Sequence, residues 1–568
     1  MKIAERRAPA AAREKLEQAG LHPLLARLYA ARRIGSAAET ANRFENLIPP
    51  SQLLNCERAA ALLAEAIAAG KRLLIVADYD ADGATACAVG VRALRQMGAK
   101  VDYIVPDRVA LGYGLSPELV ELAAERGPDL LITVDNGIAS LEGVARARKL
   151  GIGTLITDHH LPGEALPEAD CIVNPNQPGC PFPSKTIAGV GVMFYVMLAL
   201  RAELRKRGTF AAGDEPNLAA LTDLVALGTI ADVVPLDANN RILVAQGLKR
   251  LRAGGAKPGI AALLAAGGRD ASRASCFDLG FVIGPRLNAA GRLADMGLGI
   301  ECLVTDDPSR AANCARELDQ LNRERRRIEG GMLEQALAAL QDQAGLGEDA
   351  GTTITLFDPA WHQGVVGLIA SRVREKAHRP TLCFAPAGNG QLRGSGRSIP
   401  TLHLRDCLDL VAKRAPGLIL RFGGHAQAAG LTIQEKDLPR LRELFEDTVA
   451  GLLPVAARLR VVETDGELEP AYHSLEVAQL LEAQIWGQGF PPPLFCATFA
   501  VESQRVVGER HLKLRLRISG SSGDGRRMQA MRFNSPAFLP STFRAAYRIG
   551  VNEFNGMKTV QLTVEHTE

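Results

Sequence analysis

At 568 residues the chain is long enough for three or four domains of ordinary size. Its 47% hydrophobic, 23% charged and 5% aromatic residues exclude a collagen-like, low-complexity or largely disordered chain. The net charge of +3 says little in total, and the longest apolar run, Ala188 to Leu200, is closed by Arg201 short of the roughly 20 residues a bilayer span needs, so it reads as a buried helix and no membrane partner is expected.

The first stretch, 1–70, reads as a helical segment. It opens with both charge signs and no apolar core, unlike a secretory signal. From Lys71 to Pro175 short apolar runs alternate with helical patterns. Strands are predicted at 73–78, 101–106, 130–135, 153–158 and 171–175, and the helical stretches between them end in glycine, a usual stop. This alternation predicts an α/β fold with a parallel sheet, in a catalytic domain spanning 71–307. Three strands end in aspartate, at Asp78, Asp135 and Asp158, where open α/β sheets bind their ligands.

Residues 186–265 read as mostly helical. A long helical pattern from Pro308 to about Gln343, interrupted by Gly330 and Gly331, predicts a connecting helix at 308–345. A smaller α/β domain follows at 346–454, with strands at 354–357 and 381–385 and a helix from Val366 to His378. From 455 to 568 six alternating segments (RVVETDGEL, FCATFAVESQRVV, HLKLRLRISG, RMQAMRF, AAYRIGVNEF, KTVQLTVEH) with glycine-rich turns predict a small β-barrel of the OB type. Between Ser503 and Val560 eleven Lys or Arg face only Glu509, Asp524 and Glu553, a polyanion-binding signature. The ten cysteines form no C-x-x-C pair and read as free thiols in a reducing cytoplasm.

The most informative stretch is Asp78-Tyr-Asp80-Ala-Asp82-Gly-Ala-Thr85, three aspartates at alternate positions leaving a strand. It begins like an EF-hand loop but lacks the glutamate that closes one. Val134-Asp135-Asn-Gly137 and Asp158-His159-His160 follow at two further strand ends, and Gly228-Thr-Ile-Ala-Asp232 adds a fourth carboxylate after a predicted Gly-Thr loop. Alternation along a strand lets only one of the paired histidines enter a site. Two carboxylates about 4 Å apart repel by roughly 4 kcal/mol at an effective dielectric near 20. Four in one crevice therefore require cations, and oxygen ligands with one imidazole favour Mn²⁺ or Mg²⁺. A carboxylate shared by two ions about 3.5–4 Å apart suits in-line phosphoryl displacement.

These four motifs, in this order and spacing, resemble those of the DHH phosphoesterase superfamily. The longer forms D-Y-D-A-D-G-A-T, A-L-G-T-I-A-D-V-V-P-L and Gly284-P-R-L-N-A-A-G-R-Leu293 resemble its single-strand-specific 5′→3′ exonuclease family, from about residue 70 onward. The resemblance implies two Mn²⁺ or Mg²⁺ ions held by Asp80, Asp82, Asp135, His159 and Asp232, with Asp135 bridging. Asp78 stays open between ligand and support, Asp158 orients a histidine or a loop, and His160 faces the substrate phosphate.

A phosphodiesterase also needs fixed donors on the scissile phosphate. Arg286, Asn288 and Arg292 are candidates on a turn fixed by proline and glycine, with helix-end salt bridges as the alternative. Arg108, with Gly112-Tyr113-Gly114, lies in a loop after the second strand that is expected to contact nucleic acid. The smaller α/β unit resembles a DHHA1 domain, which implies substrate contacts from Arg372, Ser395, Arg397 and a Gly423-Gly424-His425 loop opening a helix. Of Phe533, Tyr547 and Phe554 in the basic barrel, at least two are expected in its core, and Arg323–Arg327 reads as a solvated helix face or as lining the strand's path. The implied function is a monomeric, cytoplasmic, metal-dependent exonuclease. It shortens single-stranded DNA 5′→3′ to 5′-mononucleotides in repair and recombination, beside a helicase and a single-strand-binding protein. A phosphodiesterase for short oligonucleotides and a strand-binding factor with a degenerate core are the alternatives.

Overall fold

The structure, a computed structural model, describes residues 2–106, 113–211, 213–342, 351–454, 457, 459–519 and 525–568. Two compact units emerge: Glu5–Leu321 with Glu463–Glu568, and Met1–Ala4 with Asn322–Val462.

In the larger unit, strands β1 (Arg72–Ala77), β2 (Lys100–Ile104), β3 (Leu130–Val134), β4 (Gly153–Thr157) and β5 (Cys171–Val173) form an all-parallel sheet ordered β2-β1-β3-β4-β5. Alternate residues divide between two cores, as a period of two demands. Leu73, Ile75, Ile132 and Leu155 join the core with helices Cys56–Ala68, Ala81–Gln96 and Gly189–Lys206. Leu74, Val76, Leu131 and Ile156 join the opposite one with helices Pro117–Ala124 and Leu141–Lys149. With both faces covered, the strands need the near-continuous apolar runs seen in the sequence. The chain steps from β1 to β2 on one side and returns to β3 on the other. Asp78 and Asp135 thus follow the two strands that flank the topological switch point.

Residues 186–265 are helical as read, with the Ala188–Leu200 run inside the buried helix Gly189–Lys206. Two motif segments differ from expectation. Gly228-Thr229 is no loop but lies inside helix Thr222–Ala231, leaving Asp232 at its C-terminal end. The segment Gly284–Leu293 is a helix rather than a turn, its proline lying in the first turn, where the missing N–H costs nothing.

A closed barrel completes this unit: β11 (Phe495–Val507), β12 (His511–Ser519), β13 (Arg527–Arg532), β15 (Met557–Thr567) and β14 (Thr542–Phe554), in that order around it. Along β12, Leu512, Leu514 and Leu516 point inward while Arg515 and Arg517 are exposed. Leu24, Leu25 and Leu28 of helix Pro23–Ala30 join the barrel core. The first of the six predicted barrel segments lies outside it. Only Val461–Thr464 is extended there, paired with Lys2–Glu5, and the buried Arg32 guanidinium then binds both oxygens of Asp465 at 2.9 Å. Tyr547 is buried in the barrel, whereas Phe533 and Phe554 are exposed, so one of the three aromatics is core and not two. All ten cysteines are free.

The smaller unit has a sheet ordered β9-β10-β8-β7-β6, from β6 (Ile354–Phe357), β7 (Thr381–Gly388), β8 (Gln391–Arg397), β9 (Arg421–Gly424) and β10 (Ala428–Gln434). Gly423 and Gly424 therefore end a strand, and His425 begins the turn of an antiparallel hairpin; they open no helix. A side chain at Gly424, whose φ is +139°, would meet the Ala428 carbonyl at 2.4 Å. Helix Pro308–Asp342 runs through Gly330 and Gly331 without a break. At about 1 kcal/mol each relative to alanine, two exposed glycines do not interrupt 35 residues of helix.

Candidate metal centre

The acidic loop after β1 is shaped by its own aspartates. Asp80 caps helix Ala81–Gln96, one carboxylate oxygen accepting from the N–H groups of Asp82 (2.9 Å) and Gly83 (3.0 Å). Asp82 is buried against the start of helix Gly189–Lys206, accepting from the N–H of Gly189 at 2.6 Å and of Val190 at 2.9 Å. A free helix N-terminus favours this negative charge. Asn288, on helix Gly284–Leu293, accepts from the Ala81 N–H at 2.8 Å and so fixes the loop from the far side.

Asp135 follows β3 in a left-handed conformation (φ 63°), its carboxylate buried. His159 Nε2 lies 3.2 Å from Asp135 Oδ1 and 3.6 Å from Asp232 Oδ2. Asp158, also buried, accepts from the N–H groups of Ile138, His159 and His160 and bonds the His160 ring at 2.8 Å. Both histidines enter the site, their ring centroids 4.5 Å apart. Strand alternation does not separate them because β4 ends at Thr157 and the pair lies in the turn beyond. Asn174 and Asn176 hold the carbonyls of His160 and His159 from the end of β5, at 3.0 and 2.6 Å. Sequence reasoning passed over these two, though Asn-Pro-Asn at a strand end was a visible signal. It also passed over Gly189, and it read Gly228 as part of a loop rather than as a close-packing position. A Cβ at Gly189 would sit 2.6 Å from Asp135 Oδ1, and one at Gly228 would sit 2.8 Å from Asp82 Oδ1.

Three sets of ligand atoms converge within 4.8 Å: Asp82, His159 and Asp232; Asp78, Asp80 and Asp135; Asp135, His159 and His160. Burial, then the neighbouring Asp232 carboxylate, pushes Asp82 up to about 7. Burial and then Asp80 push Asp232 to about 7, and burial with the surrounding carboxylates drives Asp135 far above the carboxylate range. Burial, then the charge on His160, lowers His159. Burial opposes charging His160, but the Asp158 bond and the surrounding carboxylates outweigh it and hold the ring at about 9. Burial likewise works against the Asp158 anion, yet its bond to His160 and the nearby positive charge keep it below its usual range.

Asp135 Oδ1 and His159 Nε2 are buried with no hydrogen-bond partner among the described residues, although they face each other. Unpaired buried polar atoms are costly, and raised carboxylates mark negative charge without its counter-ion. A divalent cation answers both, and a set of carboxylate oxygens plus imidazole suits Mn²⁺ or Mg²⁺.

The candidate substrate contacts divide. Tyr113 donates to the Asp135 carbonyl at 3.1 Å and lies beside His160. Arg292 sits in the last turn of its helix. The buried guanidinium of Arg286 pairs with Asp319 at 2.8 Å and donates to the Val282 carbonyl, as in the helix-anchoring alternative. Arg108 lies outside the described residues. In the smaller unit, Arg397 donates to Ser395 Oγ at 3.0 Å, and both approach Gly367, where a Cβ would lie 3.0 Å from that hydroxyl. Arg372 pairs with Glu329 at 3.2 Å and Glu375 at 3.4 Å, and the His425 N–H closes the β9–β10 hairpin on the Ala428 carbonyl. In the Arg323–Arg327 run, Arg325 is buried against Glu329 and Arg327 pairs with Glu324, so it is a mixed face.

Comparison with known proteins gives three family matches: the DHH family, N-terminal domain, over residues 72–229; the DHHA1 domain over 350–451; and the RecJ OB domain over 464–566. The chain is 48% identical over 560 residues to the single-stranded-DNA-specific exonuclease RecJ of Escherichia coli, covering 96% of each. It is similar to the crystal structure of RecJ in complex with Mn²⁺ from Thermus thermophilus, with a TM-score of 0.81, 31% identity and coverage of 100% of this chain and 79% of that one. The Mg²⁺ complex of RecJ from the same organism aligns with a TM-score of 0.76 and 29% identity, covering 100% of this chain and 78% of that one.

Proposed function

Because this chain belongs to the RecJ family of single-stranded-DNA-specific exonucleases, we propose that it is a metal-dependent exonuclease that removes nucleotides from the 5′ end of single-stranded DNA and releases 5′-mononucleotides. The observation that carries the reading is the pair of buried atoms, Asp135 Oδ1 and His159 Nε2, that find no hydrogen-bond partner among the described residues and lie among four further aspartates at strand and helix ends.

Asp80, Asp82, Asp135, His159 and Asp232 would hold two divalent ions. Such ions, when bound, lower the pKa of the attacking water and stabilise the leaving oxygen of an in-line displacement. The protein supplies order. Gly189 and Val190 fix Asp82, and Asn288 fixes the loop that carries it. Asp158 aims both histidines and keeps His160 cationic at neutral pH, a charge suited to the scissile phosphate. Tyr113, Arg292, Arg108 and, in the smaller unit, Arg372, Ser395, Arg397 and the Gly423–His425 hairpin are the proposed grips on the strand. The reading extends to a monomeric enzyme of the cytoplasm, acting in repair and recombination with a helicase and a single-strand-binding protein. Among the described residues no helix is long and apolar enough to cross a membrane.

Digestion of 5′- and 3′-labelled strands, single and duplex, with and without Mn²⁺ tests the proposal. Expected is early release of the 5′ label as a mononucleotide, from single strands and with Mn²⁺ alone. Release of the 3′ label first, or equal digestion of duplex, would overturn it.

A further inference from the structure

The segment leading into helix Gly284–Leu293 carries two large side chains that the core does not use. Phe277 is 55% exposed and Phe281 65%. Their rings stack at 5.1 Å between centroids and 23° between planes. The backbone that carries Phe281, Asp278–Ile283, forms a π-helical turn, a rare geometry frequent at functional sites. Asp278 pins this turn, accepting from the N–H and hydroxyl of Ser275 at 2.9 and 2.7 Å and pairing with Arg269 at 2.7 Å. The Arg269 guanidinium in turn lies 5.6 Å from the Phe277 ring centre.

The turn packs against the end of the helix that presents Asp232. A Cβ at Gly280 would lie 3.1 Å from Ile230 Cγ2, and one at Gly284 would lie 3.3 Å from Ala231 Cβ. On the other side, Arg273 pairs with Glu553 at 2.6 Å, beside the tip of the β14–β15 hairpin, where Phe554 and Met557 are both exposed. The aromatic pair therefore stands in one unit between a carboxylate of the metal centre and the basic barrel.

We propose that Phe277 and Phe281 form a stacking platform for the bases of the bound strand. The inference rests on the exonuclease reading above. Three observations favour bases over a protein surface. Two parallel rings fixed in advance offer a flat face to a base at little entropic cost, and such stacking tolerates any sequence. Arg273 ties the segment to the barrel, whose eleven Lys or Arg between Ser503 and Val560 outnumber its acids, which suits a polyanion. Two rings are also far too little surface for a stable protein interface of roughly 800 Å² per partner. A platform of this kind contributes to single-strand preference, because paired bases in a duplex cannot lie on it.

The test uses the full-length protein, a single-stranded dodecamer carrying 2-aminopurine, and buffer without divalent ions so that binding is read apart from cleavage. Phe277→Ala and Phe281→Ala should each weaken binding about ten-fold, within the range of alanine substitutions at stacked bases. Both should relieve the quenching of 2-aminopurine, and Phe281→Trp should restore binding and quenching. In Mn²⁺ the alanine variants should raise KM while kcat moves less than two-fold. Unchanged affinity and quenching in both alanine variants, with circular dichroism like the parent's, would overturn the platform and leave the rings to a protein partner. Tight, quenched binding by a parent protein that still leaves the strand uncut once Mn²⁺ is added would overturn the exonuclease reading alone.

Discussion

Asp135 gathers the demands of the site in one residue: a left-handed backbone, full burial, and a carboxylate oxygen with no hydrogen-bond donor among the described residues. Asp135→Asn keeps the shape and removes the charge, so Mn²⁺-dependent digestion should fall at least about a thousand-fold, the scale of losing a transition-state electrostatic group. Strand binding without metal should persist; a variant that digests at the parental rate would remove Asp135 from the centre. The raised carboxylates set the pH dependence. Asp82 and Asp232 titrate near 7 in the folded protein and near 4 when unfolded, so the native state holds the extra protons between those values. Metal-free protein therefore loses stability as pH rises from about 4 to about 7. Mn²⁺ must displace those protons, so its stabilising effect should be larger at about pH 8 than at about pH 6. Thermal melts with and without Mn²⁺ at both values check this, and equal shifts would contradict it. Asp78, Asp135 and Asp158 were legible in the sequence because strand ends in a parallel sheet converge, whereas His159 and Asp232 were picked out by the family resemblance. The fate of Arg286 was not legible, since nothing in its motif announces Asp319, 33 residues further on.

Elements hold the centre through close approaches that a sequence shows only as glycines. Inside helix Thr222–Ala231, a Cβ at Gly228 would meet Thr85 Oγ1 at 2.2 Å and Val190 Cγ1 at 2.7 Å, both on neighbouring helices. Gly228→Ala should cost about 1–3 kcal/mol in stability by overpacking, and weaken Mn²⁺ binding by displacing Asp82. Denaturant titration and metal titration measure the two effects; an unchanged midpoint would show that the helices give way freely. The residue after Asp232 invites the opposite change. Val233 ends the helix at φ 64° with its side chain 60% exposed, a position where glycine is usual. Val233→Gly should raise stability by about 1 kcal/mol through lost backbone strain. A lower melting temperature would mean that the isopropyl group packs better than its exposure suggests. At this scale periodicity served well where one period ruled, in β1–β5 and the barrel. It failed at Gly-Thr, Gly-Pro and Gly-Gly-His, where glycine marks close packing rather than a loop.

Across the whole molecule, composition announced the barrel and its charge, while the sharing of cores stayed invisible. Leu24, Leu25 and Leu28 complete the barrel core, and Arg32 binds Asp465 in a buried pair, so the N-terminal helices and the barrel belong to one folded unit. Long-range partnerships of this kind leave no periodic trace. Removing the barrel would therefore expose apolar surface, and its role is better tested by charge alone. Lys513, Arg515 and Arg517 alternate along β12 on the side away from the barrel core. Replacing all three by glutamine should flatten the log–log salt dependence of strand binding by about 2, at roughly 0.7 per phosphate contact. An unchanged slope would take this strand out of the interface. The account as a whole stands on cations gathered by distant carboxylates. Anomalous diffraction from crystals soaked in Mn²⁺ is the most direct measurement: it should show two peaks among Asp80, Asp82, Asp135, His159 and Asp232, whereas peaks elsewhere, or none, would contradict it.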